Sequence, residues 1–202
     1  MPLHLVTVPC LKDNYAFLVH DSDSGATLLV DIPEAQPIVD ALVERDWSLS
    51  DILITHHHDD HIQGLAKVVV HNGDLRVTGT AADAHRLPPL SRAVADGDRF
   101  AFAGHEIQVF DVSGHTMGHV AYYMSALGAV FTGDSLMAMG CGRLFEGDAA
   151  TMHGSLQKLA ALPPESRVCS GHEYTAANAK FALTIEPDNP ALLARIAKID
   201  KA

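Results

Sequence analysis

Asp51-Ile52-Leu53-Ile54-Thr55-His56-His57-His58-Asp59-Asp60-His61 joins a short apolar run to a dense polar cluster. Ile52, Leu53 and Ile54 are bulky and mostly β-branched, so 51–54 reads as a buried strand. The run stops at Thr55, which leaves the polar cluster at the strand's C-terminal end, where α/β sheets gather their ligand sites. Written His56-x-His58-x-Asp60-His61, the cluster offers three imidazoles and a carboxylate. That donor set suits a divalent transition metal such as zinc, iron or manganese. Alternation turns His56 and His58 one way and His57 and Asp59 the other, so the latter two stay outside the ligand set. A merely solvated histidine run is the bland alternative; an internal, alternating run behind a strand argues against it.

Working outward, His4–Val8, Ala16–His20 and Ala26–Asp31 read as an opening antiparallel β run, broken by Lys12-Asp13-Asn14 and by 21–25. Pro33–Arg45 reads as a helix with Pro33 near its first turn. Ile62–Val70 reads as a second helix, stopped by His71-Asn72-Gly73-Asp74. Arg76–Thr80 is a strand, and Pro88-Pro89 bars a continuous helix over 81–97. Two hairpins follow, 99–103 with 105–112 and 120–124 with 129–131. Next come helix 149–162 with Met152, Leu156, Leu159 and Ala160 on one face, strand 167–170 and helix 175–185. Asn189-Pro190 opens a last helix, with Asn189 as its N-cap. Two similar β-then-α rounds predict two sheets packed face to face with helices outside.

Composition sets the bounds. At 202 residues, 48% of them apolar, the chain can bury one sizeable core. A net charge of −11 makes nucleic acid and anionic membrane poor partners. Cys10, Cys141 and Cys169 are odd in number and widely spaced, which suggests no disulfide framework and a reducing compartment. No secretory leader or membrane-length apolar run is visible, so the expectation is a cytoplasmic protein.

Three further strand-end loops carry metal-binding side chains: His115 in 113–119, Asp134 in 132–135 and His172 in 170–173. A lone His or Asp after a strand is more often a cap or turn residue. Three such loops together with the 56–61 cluster reverse that balance. The segment Ala81–His85 lacks so clean a placement, and His119, one turn on from His115, reads either as a support behind the ligands or as a helix or strand start, the latter favoured. His56, His58, His61, His115 and His172 with Asp60 and Asp134 make seven donors, more than one tetrahedral site needs and enough for two adjacent ions. One carboxylate can bridge the pair. Water on zinc falls to a pKa of about 7, which supplies a nucleophile without Ser or Cys.

The order His56-x-His58-x-Asp60-His61, His115, Asp134, His172 resembles the metallo-β-lactamase superfamily. Pro9–Tyr15, Gly114–Thr116, Phe131–Asp134, Cys141–Gly147 and Gly171–Tyr174 narrow the likeness to the hydroxyacylglutathione hydrolase (glyoxalase II) family. The resemblance implies an α/β fold, an αββα four-layer sandwich with a shortened C-terminal helical extension. It divides the chain into a catalytic domain, 1–174, and helices 175–202, a remnant of the family's helical substrate-binding region. It implies two divalent ions, zinc first and iron or manganese otherwise. His56, His58 and His115 would hold one, Asp60, His61 and His172 the other, with Asp134 bridging.

The implied reaction is hydrolysis of S-D-lactoylglutathione to D-lactate and glutathione by a metal-bridging hydroxide, which Asp60 would also orient. Arg143, Phe145 and Tyr174 would contact this small glutathione thioester. Arginine can meet a carboxylate through two parallel bonds. Phe145 stands where a tyrosine is common, and simple core packing is an equal reading of it. The competing functions are an iron-dependent persulfide dioxygenase and a broad hydrolase of lactones or other esters. The glycine-rich 140–147 loop favours the hydrolase; Asp134, where many β-lactamases place cysteine, counts against a lactam substrate.

Overall fold

The computed structural model describes residues 2–72 and 75–199. The first sheet contains, in spatial order, β1 (Leu3–Cys10), β2 (Asn14–Asp21), β3 (Ala26–Val30), β4 (Ser48–Leu53), β5 (Arg76–Thr80) and β6 (Arg92–Val94). Strands β1 to β3 pair antiparallel, and β3 to β6 pair parallel. Helices α1 (Ala35–Arg45), α2 (Asp59–Ile62) and α3 (Leu65–Asn72) fall within these connections. The second sheet uses β7 (Arg99–Phe102), β8 (His105–Asp111), β9 (Val120–Met124) and β10 (Ala129–Gly133). A small ribbon, β11 (Leu136–Met137) with β12 (Gly140–Cys141), precedes α4 (Ala149–Ala160). Strand β13 (Arg167–Ser170) returns to pair parallel with β10, and α5 (Thr175–Ile185) and α6 (Pro190–Ile199) close the chain.

The period-2 alternation of the strands builds the layers. Phe17, Val19, Leu28, Val30 and Leu53 of the first sheet meet Val109, Tyr122 and Phe131 of the second in one buried cluster. The intervening residues Ala16, Leu18, Leu29 and Ile52 face the opposite way, onto Ile38 and Leu42 of α1 and Val68 of α3. On the far side Val112, Ala121 and Val130 pack with Leu159 of α4. The order is therefore helices, sheet, sheet, helix, as the β-then-α rounds predict. Asp148 caps α4 by accepting the Thr151 N–H at 2.8 Å, and Asn189 caps α6 by accepting those of Ala191 and Leu192.

Several details differ from the sequence reading. The helix predicted over 62–70 begins at Leu65, with a separate short α2 ending at Ile62; between them Gly64 runs against Ile32, where an added Cβ would lie 2.8 Å from the Ile32 side chain. The predicted stop at His71–Asp74 falls in part on Gly73 and Asp74, outside the described residues. Pro33 lies before α1, which begins at Ala35. The buried face of α4 uses Ser155, whose hydroxyl donates to Ser113 O at 2.6 Å; Ala160 is exposed. Strand β6 and the β11–β12 ribbon were not predicted, and strands of two or three residues leave almost no periodicity to read.

The two sheets are also tied at the ends of their strands. Val120 N–H donates to Thr55 O at 3.0 Å, and the buried Tyr122 hydroxyl to Ile54 O at 2.8 Å. Removing that hydroxyl with Tyr122→Phe should cost about 1 kcal/mol, which for a chain of this size lowers Tm by about 2–4 °C in a thermal melt.

Candidate metal centre

Parallel strands end on the same side, so their C-terminal loops converge. Asp31 follows β3, Thr55 and His56 follow β4, Asp134 follows β10 and Ser170–His172 closes β13. The third histidine loop, 113–119, follows β8. All seven predicted donors come together. Their ligand atoms form three overlapping groups, His56–His58–His115, His56–His61–Asp134 and Asp60–His61–His172, each within 4.8 Å.

His58 Nδ1 lies 3.1 Å from His56 Nε2 and 3.0 Å from His115 Nε2. Three imidazoles on a tetrahedral zinc would sit about 3.3 Å apart, so this spacing nearly matches an ion's ligand edge. On the other side, His172 Nε2 lies 3.3 Å from both Asp60 Oδ2 and Asp134 Oδ2. His61 Nε2 and Asp134 Oδ1 face each other across 3.4 Å, buried and without a hydrogen-bond partner. Leaving two such atoms bare is costly, so a proton on His61 or a bound cation must satisfy them. The residues present therefore fit two divalent ions.

The far side of each ring is held. Asp31 Oδ2 takes the His61 Nδ1–H at 2.8 Å, Asp13 Oδ1 takes that of His172 at 2.9 Å, and Arg143 O takes that of His115 at 2.7 Å. Such partners fix each ring's orientation, so each Nε2 faces the centre of the cluster. Asn14 Nδ2 donates to Asp60 Oδ2 at 3.0 Å and aims that carboxylate. Glycine makes the approach possible: a Cβ at Gly171 would stand 2.5 Å from Asp134 Oδ1, and one at Gly142 only 1.9 Å from Asp134 O.

Two readings of the sequence need correction. His119 is no mere element start. It is fully buried, stacks on His56 with ring centroids 4.5 Å apart, and its Nε2 accepts the Asp134 N–H at 3.0 Å. Ala81–His85 does follow a strand, β5, and its Asp83 Oδ2 lies 3.0 Å from His57 Nδ1. His57 is thus outside the donor cluster, as alternation predicts. Asp13, Asn14 and Asp31 were missed as well; Asp31 carried the strand-end signal that marked Asp134.

Burial sets the charge on one side of the site. It holds His56 well below the ordinary histidine range, lowers His58 and His115, and pushes His119 down to about 3. On the other side burial also opposes charge, but carboxylates outweigh it. Asp31 and Asp134 raise His61 to about 10, and Asp134 and Asp60 raise His172 to about 10. Hydrogen bonding to His172 holds Asp60 far below the usual carboxylate range, and His172 and His61 do the same for Asp134 against its burial.

A cleft of about 650 Å³ opens over the cluster, lined by His58, Asp60, His115, Asp134 and His172 and by Arg143, Phe145 and Tyr174. All three predicted contact residues therefore line it. Phe145 is 60% exposed, which overturns the core-packing reading, and its ring stands edge-on to His58 and His115. Tyr174 stacks on His172 with centroids 5.0 Å apart.

Residues 14–172 match the family model of the metallo-beta-lactamase superfamily, and the chain belongs to that superfamily. Residues 173–202 match the hydroxyacylglutathione hydrolase C-terminus. A relative from Roseobacter denitrificans, named hydroxyacylglutathione hydrolase, is 61% identical over 96% of this chain and 76% of its own length, which places the chain in that family. Among solved structures, the B3 metallo-beta-lactamase BLEG-1 superposes with TM-score 0.77 at 22% identity, over 84% of this chain and 92% of its own. TTHA1623, crystallised in a di-iron-bound form, superposes with TM-score 0.71 at 29% identity, also over 84% and 92%.

Two outcomes follow from this geometry. Asp31→Asn leaves the donors in place but weakens the hold on His61, so ion affinity should fall about 10–100-fold, read by metal content after dialysis. Below pH 10 a divalent ion must displace protons from His61 and His172. Its affinity should therefore rise between pH 6 and 9, with proton release on binding visible by calorimetry in buffers of different ionisation enthalpy.

Proposed function

We propose that the protein hydrolyses S-(2-hydroxyacyl)glutathione thioesters, with S-D-lactoylglutathione as substrate, to the 2-hydroxy acid and glutathione. The observation that carries this reading is a cleft lined by five of the seven donors and by Arg143, with His56 and His61 buried in the same donor cluster beneath it. The names of the relatives point the same way.

We assign His56, His58 and His115 to one ion and Asp60, His61 and His172 to the other, with Asp134 between them. Zinc is the ion we favour; the imidazole and carboxylate donors also suit iron and manganese. Such ions, when bound, supply Lewis acidity that polarises a carbonyl and brings the pKa of water down to about 7. Asp60, kept anionic by His172 and aimed by Asn14, orients the attacking water. Arg143 meets a glutathione carboxylate, and Phe145 and Tyr174 give the thioester two apolar walls. Thiolate is a good leaving group, so no strong general acid is required. A single-iron oxygenase is less favoured, because both donor triads are complete.

Residues 1–174 form the catalytic domain in this proposal, and 175–202 the helical part beside the cleft, where Asn178 Nδ2 donates to Ala138 O at 3.0 Å. Among the described residues no helix is long and apolar enough to cross a membrane. The three free cysteines support placement in the reducing cytoplasm.

Steady-state hydrolysis of S-D-lactoylglutathione beside a thioester lacking glutathione, on metal-quantified protein, tests the reading. We expect two ions per chain and a clear preference for the glutathione thioester. Equal rates on both, or one iron with oxygen uptake on glutathione persulfide, would overturn it. Arg143→Ala should raise KM about tenfold with little change in kcat.

A further inference from the structure

Four side chains at the rim of the cleft form a network that the hydrolytic site does not use. Arg86 lies beyond the end of β5, and its Nε donates to Asp83 Oδ1 at 2.8 Å. Its two terminal nitrogens reach the two oxygens of Glu146, Nη1 to Oε1 and Nη2 to Oε2, the second at 3.1 Å. Glu146 Oε2 also accepts the Met117 N–H at 2.7 Å, from the loop that carries His115 and His119. Asp83 in turn pairs with His57, between His56 and His58.

The positions of these groups matter more than their number. Arg86, Asp83 and His57 lie in loops after strands of the first sheet, whereas Met117 follows β8 of the second and Glu146 lies between β12 of the ribbon and α4. The Arg86–Glu146 pair thus joins a loop of the first sheet to segment 141–147 at the edge of the cleft. Glu146 directly follows Phe145, whose ring stands 5.6 Å from that of His58 and 5.8 Å from Arg143 Cζ. Backbone bonds, Phe145 N–H to His115 O at 3.2 Å and Gly147 N–H to Gly114 O at 3.1 Å, tie this segment to the loop after β8, and His57 Nε2 lies 3.7 Å from Glu146 Oε1 beside the Arg86 pair.

We propose that Arg86 is a positioning residue for segment 141–147: by holding Glu146 it fixes where Arg143 and Phe145 stand over the donor cluster, and so sets the fit of substrate. The consequence for binding rests on the hydrolase reading above. The anchor itself does not. A two-point guanidinium–carboxylate pair fixes direction as well as distance, and an ammonium at that site would fix only distance. Ion pairs near the surface add little to global stability, so the effect is local.

The test compares Arg86→Met, Glu146→Gln, their double variant and Arg86→Lys with the parent protein. Each single change should raise KM for S-D-lactoylglutathione about tenfold with kcat altered less than about threefold, and the double should be no worse than either single. Arg86→Lys should recover part of the loss. Hydrogen exchange followed by mass spectrometry should show faster exchange in 141–147 in both singles, with metal content unchanged. Unchanged KM, unchanged exchange, effects that multiply in the double variant, or loss of metal would each overturn the proposal. A parent protein inactive on this thioester would sink the hydrolase reading instead, and the exchange data alone would then decide the anchor.

Discussion

Asp31 sits at the end of β3 in the left-handed region, φ 57°, and its buried carboxylate accepts from three donors: the Thr55 N–H, the Thr55 hydroxyl and His61 Nδ1–H, each at 2.8 Å. That conformation is uncommon outside glycine, though aspartate tolerates it better than most residues. Here the strain is repaid by joining the end of β3 to the end of β4, and β4 to the helix that carries His61. Thr55 passes the link on to His56, whose Nδ1 is 3.0 Å from its hydroxyl. A single carboxylate therefore sets the orientation of a ring in each half of the donor cluster. Replacing it by an apolar side chain would leave the Thr55 donors and the His61 ring buried and unpartnered.

The two halves of the cluster differ electrostatically for a physical reason. His56, His58 and His115 have few carboxylates among them, and burial keeps their rings neutral and ready to donate lone pairs. His61 and His172 have carboxylates close by, Asp31 and Asp134 for the one and Asp134 and Asp60 for the other, which favour positive charge at these rings. The same side chains that attract a proton there attract a metal cation. Asp134 lies between the halves, within 3.4 Å of His61 and 3.3 Å of both His115 and His172, which is where a shared ligand must be.

Much of this was legible in the sequence, and what was not has a common cause. The donors could be read because each sits at the end of an apolar run, next to glycine or in an alternating cluster, and such local patterns survive in one dimension. Asp134 and His172 were found that way, and Asp31 would have been by the same rule. Asp13 could not, since its partner His172 is 159 residues away and no spacing links them. His119 misled because one position serves two purposes: it precedes β9 and also packs beneath Asp134. Phe145 was ambiguous because an aromatic in a glycine-rich loop reads alike whether it turns inward or, as here, outward over the cleft. Strand existence was read well, helix breaks less so, as Gly64 shows.

The overall charge of −11 opposes an anionic substrate such as a glutathione thioester over most of the surface. The balance at the cleft is different. Asp60 and Asp134 are the carboxylates among its lining donors, and two divalent ions bring more positive charge than both remove. Arg143 adds a fixed cation at the same mouth. Under the proposed function, ions held in the cluster would do two things: supply the chemistry, and offset the carboxylates of Asp60, Asp134, Asp31 and Asp13 so that the cleft no longer shares the acidity of the surface. Recognition of substrate and possession of metal would then be coupled through charge.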